Sequence, residues 1–342
     1  YPMPANANAG VETYYVDTVT GLDGNSGLTP ALAKKTIQEA IDTADLNDII
    51  IVSAGTYLED LAIIAAKTGL ELRPASGEDV TLQGVTIGGE PLATPNLVID
   101  ADEVKIHGFT IKSAAVDGTD KYATAIHVQD GADVEIYDNA FDLEGTISVD
   151  AELWAIIGAD SDNVHDIGGL NIHDNTFVGT DLDGTKDDLI NAIYINWDTT
   201  AITGTVTIED NVISGDIARG IMSERPNTVV TGNSVTSSLV ADASSLGGKA
   251  YAGIAVTLAH GTGTIDNTDV TDNTVSEFGT GVWIGRTFGG ATLTLTDITV
   301  TGNTIEDNLK GVFVELDADE VLVNNNNILY NTEFGIQNDD GS

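Results

Sequence analysis

The chain contains no cysteine, which excludes disulfide staples, thiolate metal centres and a thiol nucleophile. Basic side chains are almost as scarce: 13 Lys and Arg stand against 54 Asp and Glu, for a formal net charge of -41. A surface of that sign repels a phosphate backbone, so nucleic acid is excluded as a partner. No apolar run approaches the length of a membrane-spanning helix. A phosphate-binding glycine loop and a Gly-x-Ser-x-Gly nucleophile turn are also missing. Aromatic residues make up only 6% of the chain, so aliphatic side chains must fill most of any core.

What the chain has in quantity is a repeat. Seven asparagines occupy the same place in a phrase of one apolar residue, two small or polar residues, Asn, any residue, and a second apolar residue. They are Asn139, Asn175, Asn211, Asn233, Asn273, Asn303 and Asn326. The intervals between them are 36, 36, 22, 40, 30 and 23 residues, so one winding needs about 22 residues and the others carry insertions. A second phrase, a small residue followed by apolar residues, recurs at 125–128, 155–158, 192–195, 220–223, 253–256, 281–284, 311–314 and 335–338. Both phrases alternate with period two and are rich in Val, Ile and Thr, with Gly, Asn and Asp between them, which is strand and turn chemistry. A strand that returns once per winding in the same direction pairs with its equivalents above and below, giving parallel sheets around one elongated core. An inward Asn in such a stack is expected to bond its counterparts in adjacent windings, because an interior amide cannot be left unpaired. Phe109 takes the Asn place in the earliest clear winding, where the ladder should begin.

In these phrases the chain resembles the right-handed parallel β-helix repeat proteins of the pectate-lyase-like superfamily. The opening motifs YYVD (14–17), GLDGNSGLTP (21–30), TIQEAID (36–42) and DIIIVSAGTY (48–57), with Glu59, are also similar to the start of secreted members. The resemblance implies an all-β, single-stranded right-handed parallel β-helix over 14–342, preceded by a leader segment, 1–13, expected to be held between subunits. Eight marked windings and three less regular ones between Asp48 and Asp102 predict a rod about 50 Å long. The superfamily includes polysaccharide lyases and epimerases, phage tailspikes and surface proteins, so the motifs specify fold far better than function.

One short helix is expected at TIQEAID, where Thr36 and Glu39 have the spacing of a capping box and Ile37, Ala40, Ile41 and Ala44 share one face. It should lie across the first winding as a lid, since an open solenoid end is an exposed sheet edge. The far end shows no comparable lid. A trimmed chain, a last winding that tolerates water, and stacking of another subunit each account for that.

Three places are candidates for chemistry or binding. Closely spaced acids at Asp160, Asp162 and Asp166, and at Asp181, Asp183, Asp187 and Asp188, suit Ca2+, with Asp23 weaker; a solvated acidic turn is the alternative reading. The residues after the inward position of the second phrase form an outward stripe that includes His127, Tyr194, Met222, Trp283 and Phe313. Loop cover, protein contact and sugar stacking all explain such a stripe. Arg219 and Arg225 are the best-placed cations for neutralising a uronate carboxyl beside a catalytic base, with plain salt bridging as the alternative. The five histidines lack metal-ligand spacing, although His107 and His173 share a phrase position.

The charge predicts a setting where salt or divalent cations screen it, such as a halophilic or marine surface. A chain that starts at Tyr1 and shows no signal peptide is expected outside the cell or on its surface, after removal of a leader. The expected role is a structural or adhesive rod that assembles with copies of itself into a filament or layer, contacts surface polysaccharide and uses no organic cofactor. The alternative is an extracellular lyase, epimerase or hydrolase acting on an acidic glycan.

Overall fold

The computed structural model describes residues 10–85, 95–112, 122–144, 152–159, 166–180, 189–196, 204–239, 251–258, 263–286, 293–315 and 320–339. Three parallel sheets, here called A, B and C, contain 11, 10 and 10 strands, and a fourth sheet pairs only Gly263–Ile265 with Leu293–Leu295. One winding illustrates the path. The chain runs through sheet A at Lys105–His107, turns a corner into sheet B at Thr110–Lys112, crosses to sheet C at Tyr122–Val128 and returns to sheet A at Glu135–Tyr137. This is the expected right-handed β-helix; eight sheet A strands belong to the regular windings, but only two, Ile49–Val52 and Glu71–Pro74, fall between Asp48 and Asp102 where three irregular windings were expected, and the eleventh is Thr13–Val16.

Like side chains lie over like. In sheet A, Ile106, Ile136, Ile172 and Ile208 are in register and fully buried, followed by Val230, Val270 and Val300. In sheet B, Phe141 and Phe177 stack with ring centroids 4.6 Å apart. The small residue that opens the second phrase also faces inward. A Cβ built on Gly281 would lie 2.5 Å from Ile305 Cγ2, 2.8 Å from the Gly311 carbonyl oxygen and 2.9 Å from Asn308 Nδ2. Sheet B side chains and the next backbone fill the space there, so even an Ala methyl at this Gly would force its neighbours to move.

The asparagines form one column. The Oδ1 of each accepts the backbone N–H of the preceding ladder residue, from Phe109 donating to Asn139 at 3.1 Å through to Asn303 donating to Asn326 at 2.9 Å. Each Nδ2 donates to a sheet A carbonyl of the winding before, as Asn211 does to Ile172 at 2.8 Å. The residue ahead of each Asn has left-handed backbone: φ is 53° at Asp138, 54° at Asp174, 52° at Asp210, 66° at Gly232, 55° at Asp272, 72° at Gly302 and 51° at Asn325. That conformation suits Gly, Asn and Asp, which explains the Asp-Asn and Gly-Asn pairs in the phrase. A second ladder, not anticipated, begins where sheet B passes to sheet C. Phe278 N–H donates to Asn308 Oδ1 at 2.9 Å and Asn308 N–H to Asn331 Oδ1 at 3.0 Å, again with a Phe at the head.

The helix Ile37–Thr43 buries Ile37, Ala40 and Ile41 and packs on strands Thr13–Val16, Ile49–Val52 and Leu61–Ile63, closing the first winding as expected. The capping box, however, is not formed. Thr36 makes no side-chain cap bond; instead the Glu59 carboxylate accepts the N–H groups of Ile37 and Gln38, each at 3.0 Å. Glu39 turns to Lys34, 3.6 Å away, and Asp23 Oδ1 accepts from Thr36 N–H and Oγ1–H at 2.9 and 3.0 Å. Lys67 Nζ donates to the carbonyls of Asp42 and Ala44 at the other end of the helix. Residues distant in sequence thus place an acid at the helix start and a cation at its end, matching its dipole. In the last winding Ile336, which continues an inward column, is 55% exposed, and no described residue covers it.

Candidate functional site

Differences in winding length locate the variable side of a solenoid, because insertions collect on one face. From Lys105–His107 onward, the corner joining sheet A to sheet B always has two residues, from Gly108 and Phe109 to Asn325 and Asn326. By contrast, the connections into and out of sheet C vary: three residues separate Gly215 from Arg219 but fifteen separate Thr236 from Ala252, and four separate Ser223 from Thr228 but ten separate Ile195 from Val206. The uneven intervals between asparagines therefore arise beside sheet C, and its outer face is the candidate site.

Two outward rows run along that face in register. One contains Trp154, Asn191, Arg219, Ala252, Thr280 and Lys310; the other contains His127, Ile157, Tyr194, Met222, Ala255, Trp283 and Phe313. Thr124 and Phe334 extend the first row and Val98, Ala62 and Gln337 the second, and none of these residues is a carboxylate in a chain with 54 acids. The sequence-predicted stripe is brought together as a single row, but it is enclosed. Met222, Ala252, Ala255, Trp283 and Phe313 form an apolar cluster separate from the main core, with Tyr194 packed against it, and Trp283 is 2% exposed.

Two cations rest on aromatic rings in this face. Arg219 Cζ lies 5.8 Å from the centroid of the Trp154 ring, which is tilted against Tyr194 at 5.0 Å, and Lys310 Nζ lies 4.6 Å from the Phe313 ring. A cation over a ring face is attracted by the ring quadrupole and restricted in where its head group points. Arg219 is half-buried, whereas Arg225, two residues past the end of the strand Arg219–Ser223, is 1% exposed. Arg225 Nε donates to the Asn196 carbonyl at 2.7 Å, and Asn196 Oδ1 accepts from Tyr194 Oη at 2.8 Å. The two arginines singled out from sequence therefore have different surroundings, and Arg219 is the more exposed of the two.

Four of the seven Lys and Arg beyond residue 112 are among the described residues, all on this side. Arg219, Arg286 and Lys310 lie in sheet C strands and Arg225 follows one; Lys121, Lys186 and Lys249 lie outside the described residues. The strands of sheets A and B contain none beyond Lys112.

Of the calcium candidates, Asp160, Asp162, Asp181, Asp183, Asp187 and Asp188 lie outside the described residues. Asp166 is described: its Oδ1 accepts Gly168 N–H at 2.9 Å and its own N–H donates to Asp130 Oδ1 at 3.0 Å. Among the described residues, no group of three His, Asp or Glu is placed to hold a metal ion. His107 and His173 sandwich Tyr137 on the outer face of sheet A, with ring centroids 4.4 and 5.0 Å apart. Burial, followed by the nearby Glu71 charge, pushes the Tyr137 phenol up.

Trp154 and Lys310 were missed in the sequence reading. The signal was present: each, like Arg219, immediately precedes the small residue of the second phrase, and only the register shows that this position faces outward.

Comparison with known proteins bears on both fold and role. A model described as right handed beta helix region matches residues 154–342. Among solved structures, XylC in complex with xylose is 14% identical with a TM-score of 0.55, covering 95% of this chain and 68% of that one. The tailspike protein of E. coli bacteriophage HK620 in complex with a pentasaccharide is 15% identical with a TM-score of 0.59, covering 85% of this chain and 52% of the tailspike. The match thus spans about half the tailspike's length. No curated protein matches the sequence. The expectation of a self-assembling structural rod is corrected by these similarities. Both solved structures hold carbohydrate, and nothing in the described residues favours assembly over action on a glycan. Three parallel sheets in one winding path, together with a family match over more than half the chain, make this protein a member of the right-handed β-helix family.

Proposed function

We propose that the protein binds an anionic polysaccharide along its sheet C side and acts on it outside the cell as a lyase, epimerase or hydrolase. The observation that carries this reading is that Arg219, Arg286 and Lys310 lie in sheet C strands and Arg225 beside one, next to two outward rows that lack carboxylates, while the described strands of sheets A and B contain no Lys or Arg beyond Lys112. Beyond about 8 Å the overall charge is screened at physiological salt, so Arg219 and Lys310 act on a ligand at close range on this face. Aromatic side chains among them supply apolar contact for sugar faces once the enclosed row is reached. Removing a proton beside a uronate carboxyl requires that carboxyl to be neutralised, and Arg219 is the best-placed side chain for this. Calcium held by the acids at 160–166 and 181–188 would add to the same neutralisation and belongs to the same proposal.

The test is incubation with uronate-containing polysaccharides, monitoring both binding and the release of unsaturated uronate or new reducing ends. Binding that weakens in Arg219→Ala, with turnover lost, supports the reading. Failure of every acidic polysaccharide to bind at moderate salt would sink it.

A further inference from the structure

In a chain with 54 acids, a cation that is not fully exposed ordinarily meets one. Lys105 pairs with Glu135 at 3.1 Å, Lys112 with Asp142 at 2.8 Å, Arg73 with Glu71 at 2.8 Å and Lys34 with Glu39 at 3.6 Å. Lys310 is half-buried too, yet among the described residues no carboxylate or carbonyl oxygen bonds its ammonium. Its contact is the Phe313 ring, 4.6 Å from Nζ. A ring face attracts a cation but fills none of its three N–H donors.

The surroundings of Lys310 also differ from the enclosed middle of sheet C. On the adjacent strand, Phe334–Asn338, Phe334 is in register with Lys310 and Gln337 with Phe313. Phe334 shares the outward row of Lys310, so it faces outward by its place in the winding, and it is 47% exposed. Gln337 Oε1 is buried and accepts no hydrogen bond, while Nε2 reaches only Asp339 Oδ1, at 3.5 Å. A cation without an anion, an open aromatic ring and an acceptor without a donor thus stand side by side.

We propose that Lys310, Phe334 and Gln337 form a subsite for one acidic sugar. The carboxylate accepts from the Lys310 ammonium, the apolar face of the ring lies on Phe334, and a hydroxyl donates to Gln337 once its amide turns outward. Each contact supplies what the protein side lacks. This rests on the reading of sheet C as an anionic-glycan site and names where along it a carboxylate is read. Lys310 lies three windings from Arg219 in the same row, so the subsite holds a different sugar of the polymer from the one whose carboxyl Arg219 neutralises.

The probes are a tetramer of uronates and the same tetramer with its carboxyls reduced to alcohols, each titrated against the full chain by calorimetry. The acidic tetramer is expected to bind about tenfold tighter than the neutral one. Lys310→Met should remove that difference, Lys310→Arg should keep it, and Phe334→Ala should weaken both tetramers. Lys35→Met, which removes an exposed lysine of the N-terminal loop, should change neither. Circular dichroism checks that every variant folds. A preference for the acidic tetramer that persists in Lys310→Met overturns the subsite and leaves the anionic-glycan reading standing, and so does unchanged binding of both tetramers by Phe334→Ala. If the acidic tetramer binds no tighter than the neutral one, both readings fall together.

Discussion

Asn233 Oδ1 accepts two hydrogen bonds from Asn211, one from the backbone N–H and one from Nδ2, each at 3.0 Å. Asn233 in turn donates through Nδ2 to the Ile208 carbonyl at 2.9 Å and to Asn273 Oδ1 at 3.0 Å. Replacement by a similar-sized apolar residue leaves several buried polar groups unpaired at once. Asn233→Leu is therefore expected to cost about 3 to 5 kcal/mol, measured by chemical denaturation. A loss below about 1 kcal/mol would show that the ladder contributes little beyond packing.

Gly281 has no room for a side chain, with Ile305 Cγ2 at 2.5 Å and the Gly311 carbonyl oxygen at 2.8 Å from a built Cβ. Gly281→Val should destabilise by about 1 to 3 kcal/mol through overpacking. Ala125→Gly, in the equivalent place of an earlier winding, should cost about 1 kcal/mol or less. Comparable melting temperatures for the two variants would contradict the inward placement of this column.

Glu59 and Glu39 compete for the role of helix cap, and the geometry favours Glu59. Its two charge-assisted bonds to Ile37 and Gln38 predict a loss of about 1 to 2 kcal/mol in Glu59→Ala. Glu39→Ala, which removes only a 3.6 Å contact between Lys34 and a half-exposed carboxylate, should be near neutral. A reversal of that order in thermal melts would restore the capping box.

Burial raises the phenol of Tyr57 to about 12, and burial with a hydrogen bond to Glu12 raises Tyr14 to about 12. A raised folded-state value favours the neutral phenol, so its stabilising effect is present below the unfolded value of 10 and is lost as pH climbs from 10 towards 12. Stability should thus fall across that alkaline window, with a smaller fall in Tyr57→Phe. In a spectrophotometric titration of the folded protein, these two tyrosines should ionise among the last. A normal phenol titration for both would contradict the packing of the first windings.

Calcium should raise the melting temperature in proportion to the logarithm of its concentration once above its dissociation constant, and a chelator should reverse the rise. Asp162→Asn together with Asp183→Asn should abolish the effect. No response to millimolar calcium would remove the metal from the proposed site.

The fold was legible because the repeat is carried by single residues with fixed roles. Asn139 through Asn326 mark one corner, and the left-handed residue ahead of each marks the turn. The second ladder of Asn308 and Asn331 escaped notice because Phe278 heads it and only two asparagines follow, too few to stand out from composition. The helix was placed correctly but its cap was not, since Glu59 is 22 residues from Ile37 and local spacing cannot reveal such a partner. The outward stripe was legible as a row and loop cover was one of three readings of it; choosing among them was not possible from sequence, because burial depends on what lies above the sheet.

Periodicity alone determined the winding, its minimum length and the direction of its strands, since a pattern of inward and outward side chains belongs to the local chain. Only the tertiary structure decided which outward residues become neighbours. Arg219 and Trp154 are 65 positions apart, and Arg219 and Lys310 are 91 apart, yet register places all three in one row. Insertions of unequal length separate them in the chain, and stacking cancels those insertions because parallel strands pair by equivalence within the winding rather than by distance along the sequence.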